Sequence, residues 1–509
     1  MASLVKNIAA NYIGKTWATI LSILFIPFYL KFMGIEAFGL VGFYTTLVSV
    51  FGILDLGISA TLNRELARHS VKDGSADSQR DLVRTLELIY WGVAIIACSI
   101  ILLIAPFIAH TWINLQILTP ASVIKAVKLM SIAVALNFPI SLYQGGLMGL
   151  QRQVLLNIVL IITGTLRSGG AILVLWLVSP TIEAFFAWQV FSSIVSSIAF
   201  YIAIWSILPK AENNASFKPS IIKVVWKYAL AVSVNGIIGV ILSQLDKIIL
   251  SKMLTLKMFG YYVLAGTLAS SIWLIIVPFN NAIFPRFVQY YEAKESKKLT
   301  DLFHKSTQLL SLLLFPVSAL LIFFSAEIIL LWTHDPNIAA YIHLIVSFLV
   351  IGIMINGIAT VPGYSASAFG WPLLVTYTNL IQAIFAIPLI IIMVYWLKGV
   401  GASISWIVMS CTQFFLLVPV FFRRYLIEEK WKWYLSDIAK PMIASFAVSL
   451  LSWAIAPKLE STIIIIVWIA TTGIISLIAT GLTLPAVRSW GLNNWIIWRN
   501  HNIIDGSDR

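Results

Sequence analysis

The chain has 509 residues, of which 60% are hydrophobic and 11% charged, with a mean hydropathy of +0.93 and a formal net charge of +13. A soluble domain carries about 25% charged residues, so the string of about three or four soluble domains that this length allows is excluded. Apolar runs of roughly 20 residues, the length that crosses a bilayer, recur from end to end, and the fold class is an all-α polytopic membrane protein.

The first run opens with AANYIGKT at 9–16. Its GKT has the ending of a phosphate-binding loop, but the earlier glycine that such a loop needs is replaced by Ala9 and no strand precedes it. Lys15 is therefore read as a membrane lysine. About fourteen spans are predicted. They lie near 11–31, 38–60, 86–112, 123–148, 155–178, 183–207, 228–250, 259–283, 306–332, 341–368, 373–396, 401–422, 439–456 and 462–482. Pro139, Pro278 and Pro316 lie inside spans and predict kinks. Cys98 and Cys411 are both inside apolar runs and are expected to be buried and unpaired. The first run is long enough to stay in the bilayer, without a removable signal peptide.

Lysine and arginine set the orientation. The connection 64–84 holds five of them, 208–227 four, 285–305 five and 423–440 five. The connections between these, such as NLQILTPAS, SPTI and THDPNIAA, hold none. Both termini are therefore expected in the cytoplasm. The positive rim suits anionic headgroups and gives no reason to invoke nucleic acid. The outer loops are too short to house a glycosyltransferase acceptor site, and no ATPase domain is present in the sequence.

Residues 20–47 and 241–268 align without a gap at a shift of 221 residues. Lys31 and Lys252, and Phe38-Gly39 and Phe259-Gly260, are among the identities. The shift covers six spans, so both copies enter the membrane in the same sense, as in parallel repeats about an axis along the membrane normal. Two pseudo-symmetric six-helix lobes, 1–207 and 220–424, are expected around a central cavity. An additional helix pair at 436–482 and a cytoplasmic tail at 483–509 complete the chain. Lobes that rock about a shared cleft give alternating access, which makes a carrier the expected function.

An ionisable group at mid-span costs about 2.5–3.5 kcal/mol on insertion scales, so those that persist are candidate site residues. Lys15, Lys31, Lys252, Lys125 and Lys128 are near span ends, where snorkelling is available. Arg167 is mid-span and is expected to face the cleft or a carboxylate. Asp55 and the Asp246-Lys247 pair are also well inside, the latter two pointing about 100° apart on one helix. Glu183 and Glu327 are close to outer ends. Cations in a cleft suggest an anionic cargo. A cation about 4 Å from a phosphate oxygen gains on the order of 4 kcal/mol at an effective dielectric of 20, which offsets the cost of placing it there.

ILDLGISATLNRELAR (53–68), SLYQGGLMGLQRQVLLN (141–157), GTLRSGGAILVLW (164–176), SQLDKIILSKMLTLKMFGYYVLA (243–265) and PFNNAIFPRFVQYY (278–291) resemble Wzx-type oligosaccharide flippases of the multidrug/oligosaccharidyl-lipid/polysaccharide exporter superfamily. The resemblance covers most of 1–424 in the family's order, and the family's usual twelve spans leave the last pair as an addition. It implies an ion-gradient-driven carrier in the bacterial inner membrane. The cargo would be an undecaprenyl-pyrophosphate-linked oligosaccharide, turned outward for O-antigen or capsule assembly. Matching the motifs picks out Asp55, Arg64, Gln144, Arg152, Arg167, Asp246, Lys247, Tyr261 and Arg286. Arg167, Lys247, Lys15, Gln144 and Tyr261 are expected to bind substrate, and Asp55 and Asp246 to couple protons or sodium. Arg64, Arg152 and Arg286 flank cytoplasmic span ends, where they either guide the headgroup in or serve only as positive-inside charges. Membrane lipids, a polysaccharide polymerase and chain-length proteins are the other partners implied. No cofactor, metal or catalytic residue is expected. The competing readings are a lipid II flippase or a cation or drug antiporter of the same superfamily, a non-transporting scaffold, and a membrane glycosyltransferase or polymerase.

Overall fold

The computed structural model describes residues 11, 13, 14, 16, 17, 19–70, 76–210, 213–456 and 461–488. The helices are α1 (Ile26–Phe51), α2 (Ile58–His69), α3 (Ala76–Phe107), α4 (Pro120–Gly149), α5 (Gln153–Leu177), α6 (Ile182–Ile207), α7 (Pro219–Met253), α8 (Leu256–Ala269), α9 (Trp273–Glu292), α10 (Ser296–Phe323), α11 (Ser325–Thr333), α12 (Pro336–Ala368), α13 (Leu373–Tyr425), α14 (Lys440–Ala454) and α15 (Thr462–Thr483). Among the described residues one isolated bridge, Asn114 with Thr255, is the only β pairing. Eleven stretches among them are long and apolar enough to cross a membrane. The protein is an all-α, multi-pass membrane protein.

Two helical runs differ from the expected spans. α1 is broken at Gly34 (φ 79°, ψ 170°), so its first residues continue the opening span. The expected span 38–60 then ends early. After α1 a 3-10 turn, Gly52–Asp55, leads into left-handed Leu56 (φ 46°) and Gly57 (φ 71°), and α2 starts as a separate helix. Its lower hydropathy and four buried residues, Thr61, Leu62, Glu65 and Leu66, fit a helix packed by one face. The 53-residue α13 is broken at Lys398 (φ 52°, ψ −130°). At 1.5 Å per residue it is too long for one crossing, and it holds both spans expected at 373–396 and 401–422.

The chain divides into two compact units, Met1–Val263 and Leu264–Arg509. In the first, Leu62, Leu86, Tyr90, Tyr143, Phe200 and Ile204 belong to one buried cluster. In lipid, helices associate through close packing and hydrogen bonds, since tails are as apolar as leucine. The sequence supplies both. Gly145 and Gly149 of α4 form a ridge on which a Cβ would lie 2.5 Å from Ser59 O and 2.4 Å from Asn63 O of α2. That small-residue ridge is the packing task of the SLYQGGLMGLQ stretch. Gly14 of the GKT is likewise a close-approach residue, its Cβ position 2.1 Å from Asn157 Oδ1. The connection before α7 is strapped along α3, where Asp77 accepts from Asn213 N (3.3 Å), Asp81 from Ser216 N (2.7 Å) and Thr85 from Lys218 N (3.0 Å).

The first unit also shows the repeat at atomic scale. A Cβ on Gly39 would meet Leu256 O at 2.5 Å, and one on Gly260 would meet Ile35 O at 2.4 Å. Adding 221 to 35 and 39 gives 256 and 260, so each glycine touches the counterpart of the residue its own counterpart touches. Gly42 meets Val263, its own counterpart (42 + 221), at 2.5 Å from its Cβ position. Reciprocal contacts of this kind are those of a two-fold-related crossing.

In the second unit the helices of α13 pack on α12, and α10 packs on α12, α14 and α15. α14 and α15 are joined by small hydroxyls. Ser445 Oγ lies 2.9 Å from Ser476 Oγ, and Ser452 Oγ 2.5 Å from Thr472 Oγ1. This pair coincides with the spans expected at 439–456 and 462–482. Cys98 and Cys411 are free thiols, half-buried rather than buried, and Cys98 Sγ lies 3.7 Å from Ser131 Oγ.

Candidate functional site

Arg167 sits half-buried in the middle of α5. Its Nε donates to Gln189 Oε1 of α6 at 2.7 Å, and an Nη donates to Tyr44 OH of α1 at 2.8 Å. The guanidinium also faces the Tyr44 ring, 5.7 Å from its centroid. Asn137 of α4 extends the network, donating to Tyr44 OH (3.4 Å) and Ser193 Oγ (2.7 Å). Ser193 in turn donates to Gln189 O at 2.7 Å. Four spans thus converge on one cation, and every partner is neutral. Among the described residues no carboxylate pairs with Arg167. Guanidinium has five N–H donors, and two of them fix its orientation here.

Asp55 closes the turn before α2. It accepts from Ser59 N (3.3 Å), Ser59 Oγ (2.9 Å) and the Tyr90 hydroxyl of α3. Three donors thus converge on this carboxylate, and one of them, Ser59 N, belongs to the first turn of α2.

Asp246 and Lys247 do not form an ion pair with each other. Asp246 accepts from its neighbour's backbone, Lys247 N (2.8 Å), and from Tyr262 OH (2.6 Å). Lys247 Nζ donates to Ser243 O (3.1 Å) and Gln244 Oε1 (3.4 Å) on its own helix. It is a second half-buried cation whose partners are all neutral among the described residues.

Gln144 is half-buried on α4 and Tyr261 is buried on α8. Arg64 is exposed and lies 3.6 Å from Glu65. Arg152, at the start of α5, and Arg286, on α9, are exposed. Lys15 lies outside the described residues. Lys252, expected to snorkel, is exposed, donates to Thr111 O and faces the Trp112 ring at 5.8 Å.

Several polar groups were not singled out from the sequence. Tyr44, Gln189, Asn137 and Ser193 are neutral, and a neutral polar residue in a span carries little signal. Glu87 is buried and takes Tyr143 OH (2.7 Å), Trp205 Nε1 (3.4 Å) and Arg84 Nη1 (2.8 Å). Glu36 is buried and accepts Gln116 N and Ile117 N, both at 2.7 Å. The signal available was position, since each acid falls near the end of an apolar run rather than in a charged connection.

The profile of the polysaccharide biosynthesis protein family matches residues 4–291, more than half of the chain, and that of the MatE family matches 231–392. A Shigella flexneri protein named "Putative O-antigen transporter" is 22% identical over 430 residues, covering 84% of this chain and 100% of that one. Among solved structures, the lipid II flippase MurJ in an inward closed conformation superposes with a TM-score of 0.65 at 14% identity, covering 94% and 98% of the two chains. An inward-facing multidrug resistance MATE transporter does so with a TM-score of 0.60 at 15% identity, covering 80% and 95%. With the matched profile covering more than half of the chain and spanning the networks around Arg167, Asp55 and Asp246, the chain belongs to the polysaccharide biosynthesis protein family, of the Wzx type its sequence resembles.

Proposed function

We propose that this protein is a flippase that turns an undecaprenyl-pyrophosphate-linked oligosaccharide from the inner to the outer leaflet of the bacterial inner membrane. The cargo serves O-antigen or capsular polysaccharide assembly, and alternating access is driven by protons or sodium. The observation that carries this reading is Arg167, a mid-span cation oriented by Gln189 and Tyr44 and facing no carboxylate among the described residues. Such a cation is costly when alone and gains on the order of 4 kcal/mol when a phosphate oxygen comes within about 4 Å at an effective dielectric of 20. Lys247, Lys15, Gln144 and Tyr261 complete the headgroup and sugar contacts. Asp55 and Asp246, each held by a tyrosine hydroxyl, bind the coupling ion. Arg64, Arg152 and Arg286 draw the headgroup in from the cytoplasmic side, where both termini lie. The similarity to a protein named as an O-antigen transporter supports the substrate class.

The test is complementation of a strain lacking the gene with Arg167→Ala, Lys247→Ala and Asp246→Asn, at matched protein abundance. Loss of surface glycan in viable cells is expected. Wild-type display from all three rejects these site residues. Loss of viability accompanied by lipid II accumulation, in place of glycan loss, identifies lipid II as the cargo.

A further inference from the structure

The Lys/Arg-rich end of the second unit holds a cluster outside the residues proposed for transport. His304 of α10 lies between two carboxylates of the segment that leads into α14. Its Nδ1 meets Asp437 Oδ2, and its Nε2 lies 2.8 Å from Glu429 Oε2. Asp437 is fully buried. Gln308 Nε2 donates to Asp437 Oδ1 at 2.7 Å, and Ser311 Oγ to Asp437 O at 2.8 Å. Trp433 Nε1 donates to Thr307 Oγ1 at 2.9 Å. One face of α10 therefore binds the whole 427–439 segment. Its last part, Trp433–Ala439, is a π-helix, a form that recurs at functional positions.

A neutral imidazole has one N–H and one lone pair. Two carboxylates facing both ring nitrogens need two protons among the three groups, either as imidazolium or with one carboxyl protonated. Removing one proton sets a lone pair against a carboxylate oxygen at hydrogen-bond distance. At Asp437, which is fully buried, that contact is repulsive, because water does not screen it.

One surrounding charge reaches the triad, at Glu429, and among the described residues none besides His304 reaches Asp437. From the segment itself, Lys432 lies 3.1 Å from Glu429. On α10, Lys305 pairs with Asp301 and Lys298 with Glu295. On the apolar side Phe303 stacks on Phe421 and meets Phe422 edge-on. From beyond α15 comes a backbone group, Ala486 N, which donates to Gln308 Oε1 at 2.9 Å. A cavity of about 820 Å³ reaches His304 and Glu429, with Lys297 also on its wall, and gives the proton a route to water.

We propose that Asp437, His304 and Glu429 form a proton-binding site that latches the C-terminal helix pair to α10 and loosens it as pH rises. The site shares no residue with the groups proposed for transport, and the proposal stands whether or not the cargo assignment holds. The proton that leaves goes to water through the cavity, and the segment that leads into α14 and α15 then keeps its bonds to Gln308, Ser311 and Thr307 but loses the His304 link.

Amide hydrogen exchange on the purified full-length protein in lipid nanodiscs tests this, at about pH 6 and about pH 9 and corrected for intrinsic exchange. Residues 427–439 of the wild type are expected to open about tenfold more often at the higher pH, with α12 unchanged. Glu429→Gln is the decisive variant. Its amide donates to a neutral imidazole, so protection is expected at both pH values. His304→Gln is expected to remove the pH response as well. Equal protection of the wild type at both pH values overturns the proposal, and so does a wild-type pH response in Glu429→Gln.

Discussion

Arg167→Met separates a transport role from a structural one. An arginine at mid-span costs about 2.5–3.5 kcal/mol on insertion scales. Its two hydrogen bonds, to Gln189 and Tyr44, each return about 1.5–3 kcal/mol, the range for bonds to a charged group. The terms nearly offset, and a net loss of about 1–2 kcal/mol is expected. No carboxylate is orphaned by the change among the described residues. Asp437→Ala is the comparator, because it leaves His304 and Gln308 facing an empty site. Breaking a buried charged pair in this way costs about 3–5 kcal/mol. Melting of the two purified variants gives the structural ranking, and surface glycan in the deletion strain gives function. Arg167→Met is expected to melt close to wild type and to display no glycan. The reasoning fails if it destabilises as much as Asp437→Ala, or if it displays glycan normally.

Two further substitutions probe the scaffold. Gly149→Val places branched carbon against Asn63 O, already 2.4 Å from a Cβ position, and overpacking by this much is expected to cost about 1–3 kcal/mol in melting measurements. Glu36→Gln turns an acceptor of two backbone N–H bonds into a group that satisfies one of them. A loss of about 1–3 kcal/mol is expected, with faster hydrogen exchange confined to 113–118.

The parts of this architecture that announce themselves are those with a large energetic signature. Runs of apolar residues gave the spans, and Arg167 stood out because a mid-span charge is rare. Its partner Tyr44 lies 123 residues away in sequence and is neutral, so nothing local marks it. His304 and Asp437, 133 residues apart, sit in connections rich in charge, where one more histidine and one more aspartate carry no contrast. The break at Lys398 was anticipated by the length of the apolar run. The turn at Leu56-Gly57 was not, because ILDLGISA keeps its apolar character through it. Asp55 illustrates a limit of another kind. Its residue type suggested ion coupling, and its position adds a hold on Ser59 in the first turn of α2 that uses the same oxygens.

The α1–α8 crossing allows the repeat itself to be tested as a physical object. Gly39→Ala and Gly260→Ala each set a methyl against a carbonyl, at 2.5 Å from Leu256 O and 2.4 Å from Ile35 O. If the two stretches are related by a two-fold axis, the two insertions ask for the same separation of the same helices. Their costs are then expected to agree within about 0.5 kcal/mol, each falling in the 1–3 kcal/mol range of overpacking. The double substitution is expected to cost less than the sum, because the separation that admits one methyl also admits the other. Residues that share a backbone shift couple in this way. Additive costs, or one substitution far more damaging than the other, would mean that the two glycines answer to different surroundings. The 221-residue shift would then describe shared ancestry in sequence without a shared axis at this crossing.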